Sequence, residues 1–450
     1  MKPEDVDLVW VDAADELARL RKRAVHWLRR AGELARGRHE IDEAVELYSR
    51  AVDLCDDKHE CALVLREVGR AQALRYDAEA MRSALLRSLE GPLNDAERAD
   101  TYAFLAFQAS IRSAMWSIRL NRHLIEEWAE RALELAGDGT HANVRAKLAL
   151  ANADLLDASD DDLHQIAKAA EKLGSLELRS YALGARGQAA FERRSFTESA
   201  TWSEQRLELL SAIDDPDHRC EAYESGVPAS AAVGRFEDAP RLAELHLELA
   251  QRLSAHHRVH AVSLELELGD ALGDWEALGG QTARVWDAVS ANLATPCVRN
   301  SRDLLLCGLA HLRLGDGSRA TELERDAARI VGEGYDTYLS APRLRMALER
   351  GDRATTEALI ELPVERAHVW GPGVFSTRLD ALVALRRHDL VEREAPVLMQ
   401  AGTMLEPFAL RALGAARGDD ELLAHADERF TELGLEWHRS QTERLLAGIF

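Results

Sequence analysis

The chain has 450 residues, a formal net charge of −22 and 46% apolar residues, with only 6% aromatic. That length exceeds one compact core and suits either several domains or one elongated repeat array. The acidic balance argues against general nucleic-acid binding, which needs a basic surface, and against a strongly anionic membrane partner.

Ala, Leu, Arg and Glu dominate, and these are strong helix formers. Strand-favouring residues never alternate over a useful length. The start, MKPEDVDLVWVDAADEL, is acidic and lacks the apolar core of a signal peptide. No run of 18 apolar residues occurs, so no membrane span is expected. Five cysteines (Cys55, Cys61, Cys220, Cys297 and Cys307) form no CxxC, the pattern of a reduced, cytoplasmic chain.

In chain order, the first predicted helical pair is WLRRAGELARGRHEIDEAVELYSRAVDL, with Gly32, Ala44, Tyr48 and Ala51 at its crossing points. Small residues there let two helices approach closely. A weaker pair follows around Gly69, another around Gly187 and Ala200. Further second helices are predicted at Ala239, Ala277, Ala354 and Leu390. LLLCGLAHLRLGDGSRATELERDAARI repeats the first pattern with Gly308, Ala320 and Ala327. The turns GRFEDA, LGDWEA, LGDGSRA and RGDRATTEA supply Gly for a left-handed helix end and Asp for the next N-cap. Spacings of mostly 34 to 43 residues between these anchors are those of a helix pair plus two turns.

The register is that of tetratricopeptide (TPR) repeats. The expected fold is all-α, a TPR-like right-handed α-solenoid of about 10–12 hairpins. It is expected to run as one continuous domain over residues 1–450. The least regular stretch, residues 364–376 with HVWGPGVFS, is the candidate joint.

Two blocks carry a family resemblance. LEPFALRALG with FTELGLEWHRSQTERLL resembles the closing helices of large actinobacterial-type STAND/AAA ATPase regulators, linked to cyclase or LuxR-type effectors. AVHWLRRAGELA resembles their first repeat after the NTPase. The resemblance implies a TPR region that senses a signal or partner and restrains an NTPase. This chain has no GxxxxGK[ST] loop, so the NTPase and effector domains are expected to be absent from it.

Several constellations were weighed for chemistry. LGDGSRAT imitates a phosphate loop but lacks its Lys, and reads as a turn. His256 and His260 sit four apart on one helix face, as zinc ligands can, with no third ligand nearby in sequence; they read as groove or surface histidines, and neither metal nor cofactor is expected. The aspartates of DASDDDLHQI read as an N-cap and turn. No GxSxG or comparable motif raises catalysis, so the chain is expected not to be an enzyme. RLRKRAVHWLRR could imitate a nucleic-acid helix. The acidic remainder, with Trp27 and Leu28 inside the repeat pattern, favours a helix packed at one edge.

The TPR register places His26, Arg29, Glu33 and Arg36 on the concave groove of the first repeat, and Arg66 and Arg70 on the second. Clustered arginines bind carboxylates or phosphates bidentately. The expectation is a groove of His26, Arg29, Arg36, Arg66 and Arg70 for an acidic protein or peptide partner. Solvated ion pairs with Glu33, Glu40 or Glu67 are the plainer alternative. The fifth repeat offers Tyr181, Gly184, Gln188 and Phe191, a more apolar face. That leaves a second expectation, a small-molecule inducer receptor.

Overall fold

The computed structural model describes residues 14–447. Among them the chain is helical throughout, with one isolated β-bridge, Ile118 to Glu333. In helix order, hairpins follow one another within each of two compact units, and Glu436–Leu446 closes the series among the described residues. The chain is an all-α, TPR-like solenoid. No helix among the described residues is long and apolar enough to cross a membrane.

The crossing points behave as small residues should. A Cβ added to Gly32 would lie 2.7 Å from the buried Tyr48 ring, and one added to Gly69 would lie 2.5 Å from Leu85. Neither helix could come so close with a larger residue. Val25, Ala35, Ala44, Tyr48, Ala51, Val64 and Ala71 form one core cluster that joins the first pair to the next. Burial pushes the Tyr48 hydroxyl up to about 12.

The turns follow the sequence chemistry. Gly273, Gly315 and Gly351 all have left-handed φ. Asp274, Asp316 and Asp352 then cap the next helices through N–H bonds of 3.0–3.1 Å. LGDGSRAT is therefore a turn. In DASDDDLHQI the cap is Ser159 rather than an aspartate; it accepts from the Asp162 N–H at 3.1 Å.

The helices gather into two compact units. The first comprises the described part of Met1–Trp116 with Leu120–Ala153. Its first-helix series is Ala14–Gly37, Lys58–Arg75, Asp95–Ile111 and His141–Ala153. The helix carrying RLRKRAVHWLRR packs into the core cluster, with Trp27 61% exposed on it. The inward stripe of its helix is Leu17, Val25, Gly32 and Ala35, which leaves residue 27 on the opposite side.

The second unit comprises Ser117–Arg119 with the described part of Asp154–Phe450. Here the later helices return onto the earlier ones. The Met404 N–H donates to Ala232 O at 2.9 Å, Gln400 Nε2 to Arg194 O at 2.6 Å, and His438 Nε2 lies 3.0 Å from Ala271 O. In Val298–Arg313, every residue from Val298 to Ala310 is buried. Within the segment 364–376, a short helix Ala367–Trp370 precedes Gly373–Ala384. The segment packs inward: His368 Nδ1 is 2.6 Å from Glu192, Trp370 lies under Arg299 and Arg302, and Phe375 meets Phe191 and Phe196.

Candidate binding surfaces

The first unit gathers the arginines named from the repeat register. Arg66 Nη2 and Arg70 Nη2 both donate to Asp100 Oδ2 at 2.5 Å, and Arg145 Nη1 donates to Asp100 Oδ1 at 2.9 Å. Arg70 also bonds Glu67 at 2.7 Å, Arg36 pairs with Glu67 at 3.0 Å, and Arg29 with Glu60 at 3.7 Å. Phe104 lies below Arg70 and Arg145, at 6.0 and 5.9 Å from ring centroid to guanidinium. His26 is exposed, its ring 5.3 Å from Trp27. Glu67 is thus the partner the plainer reading named, while Glu60, Asp100 and Arg145 were not anticipated. Five guanidiniums meet three carboxylates in these pairs.

The electrostatics follow from that imbalance. Burial would raise the Asp100 carboxyl, but Arg70, Arg145 and Arg66 hold it below its ordinary value. Burial opposes the Arg70 charge, and Glu67 and Asp100 overcome it to raise Arg70. The side chains keep 11–30% exposure across Arg29, Arg36, Arg66, Arg70 and Arg145, so a ligand can reach them.

The inner face of the second unit is polar and closed. Arg302 Nε donates to Glu267 at 2.5 Å, and its Nη1 to Tyr338 O at 2.9 Å. Arg345 pairs with Asp270, bonds Thr377, and donates to Gly373 O at 3.1 Å. Arg206, almost fully buried, reaches Ser180 at 3.2 Å, Ser225 at 2.9 Å and Glu221 at 3.2 Å. A small cavity of about 20 Å³ beside it is lined by Gly184, Gln188, Phe191, Ser203, Arg206 and His368, among others. Gly184, Gln188 and Phe191 are three of the four groove positions assigned to the fifth repeat.

Asp303 supplies a pH test. Burial pushes its carboxyl up to about 7, although Ser263 donates to it at 2.7 Å and Arg299 and Arg302 pull it down; Glu267 adds to the rise. A raised folded-state value stabilises at low pH, and the contribution is lost as pH climbs through the folded value. Between pH 5 and pH 8 the wild type should therefore lose stability relative to Asp303→Asn. A rise from 3.8 to about 7 corresponds to roughly 4 kcal/mol in all, of which about 2–3 kcal/mol is lost between pH 5 and pH 8. Denaturant midpoints of both proteins at the two pH values check it; parallel pH profiles would show that Asp303 ionises normally.

His256 and His260 lie on Ala255–Leu272 with ring centroids 4.2 Å apart. The structure adds Cys297, 37 residues from His260, with Sγ 3.7 Å from His260 Nε2. The other His260 nitrogen, Nδ1, is 2.8 Å from Glu224 Oε2, and Arg299 Nη2 donates to Glu224 Oε1 at 2.5 Å. Burial opposes ionisation of Glu224, but His260 and Arg299 hold it well below the usual carboxylate range. Burial lowers both His260 and His246, the latter to about 3, while Glu224 resists the shift in each. Cys297 escaped the sequence reading because it sits at the start of the next repeat's helix, outside any local spacing motif.

No family model matches the chain, and no curated protein matches it. Three solved structures are similar to it in the course of the backbone. One is a Rap protein complexed with competence and sporulation factor, 16% identical over 78% of this chain and 98% of that one, with a TM-score of 0.47. Yeast Tom70 is 12% identical over 95% of this chain and 96% of its own, at a TM-score of 0.30. The P58(IPK) TPR domain is 14% identical over 94% and 98% respectively, at a TM-score of 0.29.

Proposed function

We propose that this chain is a non-catalytic, TPR-like binding module whose first unit takes an acidic protein or peptide. The observation that carries this reading is the cluster of cations: Arg29, Arg36, Arg66, Arg70 and Arg145 converge on Glu60, Glu67 and Asp100 in a chain of net charge −22. The carboxylates hold the guanidinium planes in place and leave donors over for a bidentate anion. Phe104 gives the same surface an apolar floor. The resemblance of both chain ends to ATPase regulators supports a finer role, the sensor arm of an NTPase-linked signalling protein.

The test has two arms of opposite sign. A labelled Asp/Glu-rich peptide with a free C-terminus should bind the wild type, less tightly as salt rises. Arg70→Glu should weaken it at least about tenfold, near 1.4 kcal/mol. Asp100→Asn removes a competing anion and should tighten it. If both variants bind the peptide as the wild type does, the arginines are only a ladder between helices.

A second reading is a small-molecule receptor. The cavity at Gln188, Arg206 and His368 marks where such a ligand would enter, but its volume of about 20 Å³ holds a water, so the site would have to open to admit one. A thermal-shift screen with metabolites against acidic peptides separates the two, because a ligand stabilises in proportion to its occupancy.

A further inference from the structure

We infer that His256, His260 and Cys297 form a zinc site in the second unit. One ligand atom from each lies within 4.8 Å of the others. Two imidazoles and a thiolate are a donor set that selects zinc over calcium or magnesium, which take oxygen.

One pair already has the spacing that a bound ion would impose, and His256 is near enough to join it. Zinc bonds of about 2.3 Å to sulfur and about 2.0–2.1 Å to nitrogen, set at a tetrahedral angle, separate S and N by roughly 3.6 Å. Cys297 Sγ and His260 Nε2 are 3.7 Å apart. His256 and His260 stand four residues apart on Ala255–Leu272, which brings both rings to one face of the helix.

The surroundings orient the donors. Glu224 Oε2 holds His260 Nδ1 at 2.8 Å, so Nε2 is the nitrogen turned to the thiol. A carboxylate behind a ligating histidine is the usual outer-shell arrangement around zinc, and it sets the tautomer. Arg299 anchors the far oxygen of that carboxylate. Cys297 is the N-cap residue of Val298–Arg313, held by Asn300 Oδ1 accepting from its N–H at 3.1 Å. Three protein ligands leave the fourth position of the ion to water or to an exogenous ligand.

The ion would clasp successive repeats. His256 and His260 come from one hairpin and Cys297 from the next. Glu224 belongs to Pro216–Ala232 of the hairpin before them. Zinc would therefore fix the relation of three repeats on the closed inner face.

The metal-free full chain titrated with cobalt(II) should take up one equivalent. It should show a thiolate-to-cobalt charge-transfer band with the strong visible bands of four-coordinate cobalt, and added zinc should bleach both. Cys297→Ser should abolish the charge-transfer band while circular dichroism stays helical, and His260→Ala should weaken zinc at least tenfold. Absence of the band in the wild type overturns the site. So does a band that survives in Cys297→Ser, since another thiol would then hold the metal. Should Cys297→Ser not fold, X-ray absorption of the zinc-loaded wild type decides: one sulfur in the zinc shell supports the site, and a shell of nitrogen and oxygen alone overturns it.

Discussion

Replacing Asp270 by Ala should destabilise the second unit by about 3–5 kcal/mol, the range for breaking one half of a buried ion pair. Asp270 and Arg345 are both nearly excluded from solvent, at 7% and 8% side-chain exposure. Without Asp270 the guanidinium keeps only neutral partners, Thr377, Ser376 and the Gly373 carbonyl. Arg313 is nearby in the electrostatic sense: burial pushes it down to about 10, and Asp270 is one of the carboxylates that resist this. Its guanidinium lies between Trp275 and Trp437, 4.0 and 4.1 Å from the ring centroids. Loss of Asp270 would leave two buried cations with less compensation. Equilibrium denaturation measures the effect. A change below about 1 kcal/mol would mean that Arg345 reaches solvent or another anion when released.

Phe375→Ala should cost a similar amount, about 3–5 kcal/mol, because a large buried ring leaves a cavity that collapses poorly. Phe375 stacks on Phe191 at 6.4 Å, meets Phe196 edge-on at 6.0 Å, and lies 5.2 Å from the Arg194 guanidinium. The ring pins the start of Gly373–Ala384 to Leu176–Glu192 and Phe196–Glu208. Hydrogen exchange should therefore rise first in residues 367–384 of the variant. Unchanged exchange there, with loss of stability spread over the unit, would count against a local anchoring role.

Much of the fold was legible because its signals are local. Gly32, Tyr48 and Ala51 mark a crossing through spacing alone, and the Gly–Asp turns mark helix ends through backbone chemistry. The hairpins around Asp100 and Arg145 carried no such marks, so their charges could not be set against Arg66 and Arg70 in advance. The helix of RLRKRAVHWLRR packs through Val25 and Gly32, and the exposure of Trp27 on it follows from that stripe. The inner face of the second unit was illegible for a deeper reason. Glu192 with His368 and Asp270 with Arg345 join residues more than one repeat apart, and His260 with Cys297, one repeat apart, fall in no local spacing motif. Only the return of the later helices brings the first two pairs together.

That return changes how the second unit holds together. A plain solenoid touches only its neighbours, so its stability is nearly a sum along a line and its ends fray independently. Here His368 meets Glu192 across 176 positions, Gln400 meets Arg194 across 206, and His438 meets Ala271 across 167. Each such contact closes a long loop, and the entropy of closure is recovered only when several form together. The line becomes a circuit: no stretch of it can open without forfeiting contacts at the far end of the chain. Unfolding of this unit is accordingly concerted, and its folding is slower than the local helical pairs alone would allow.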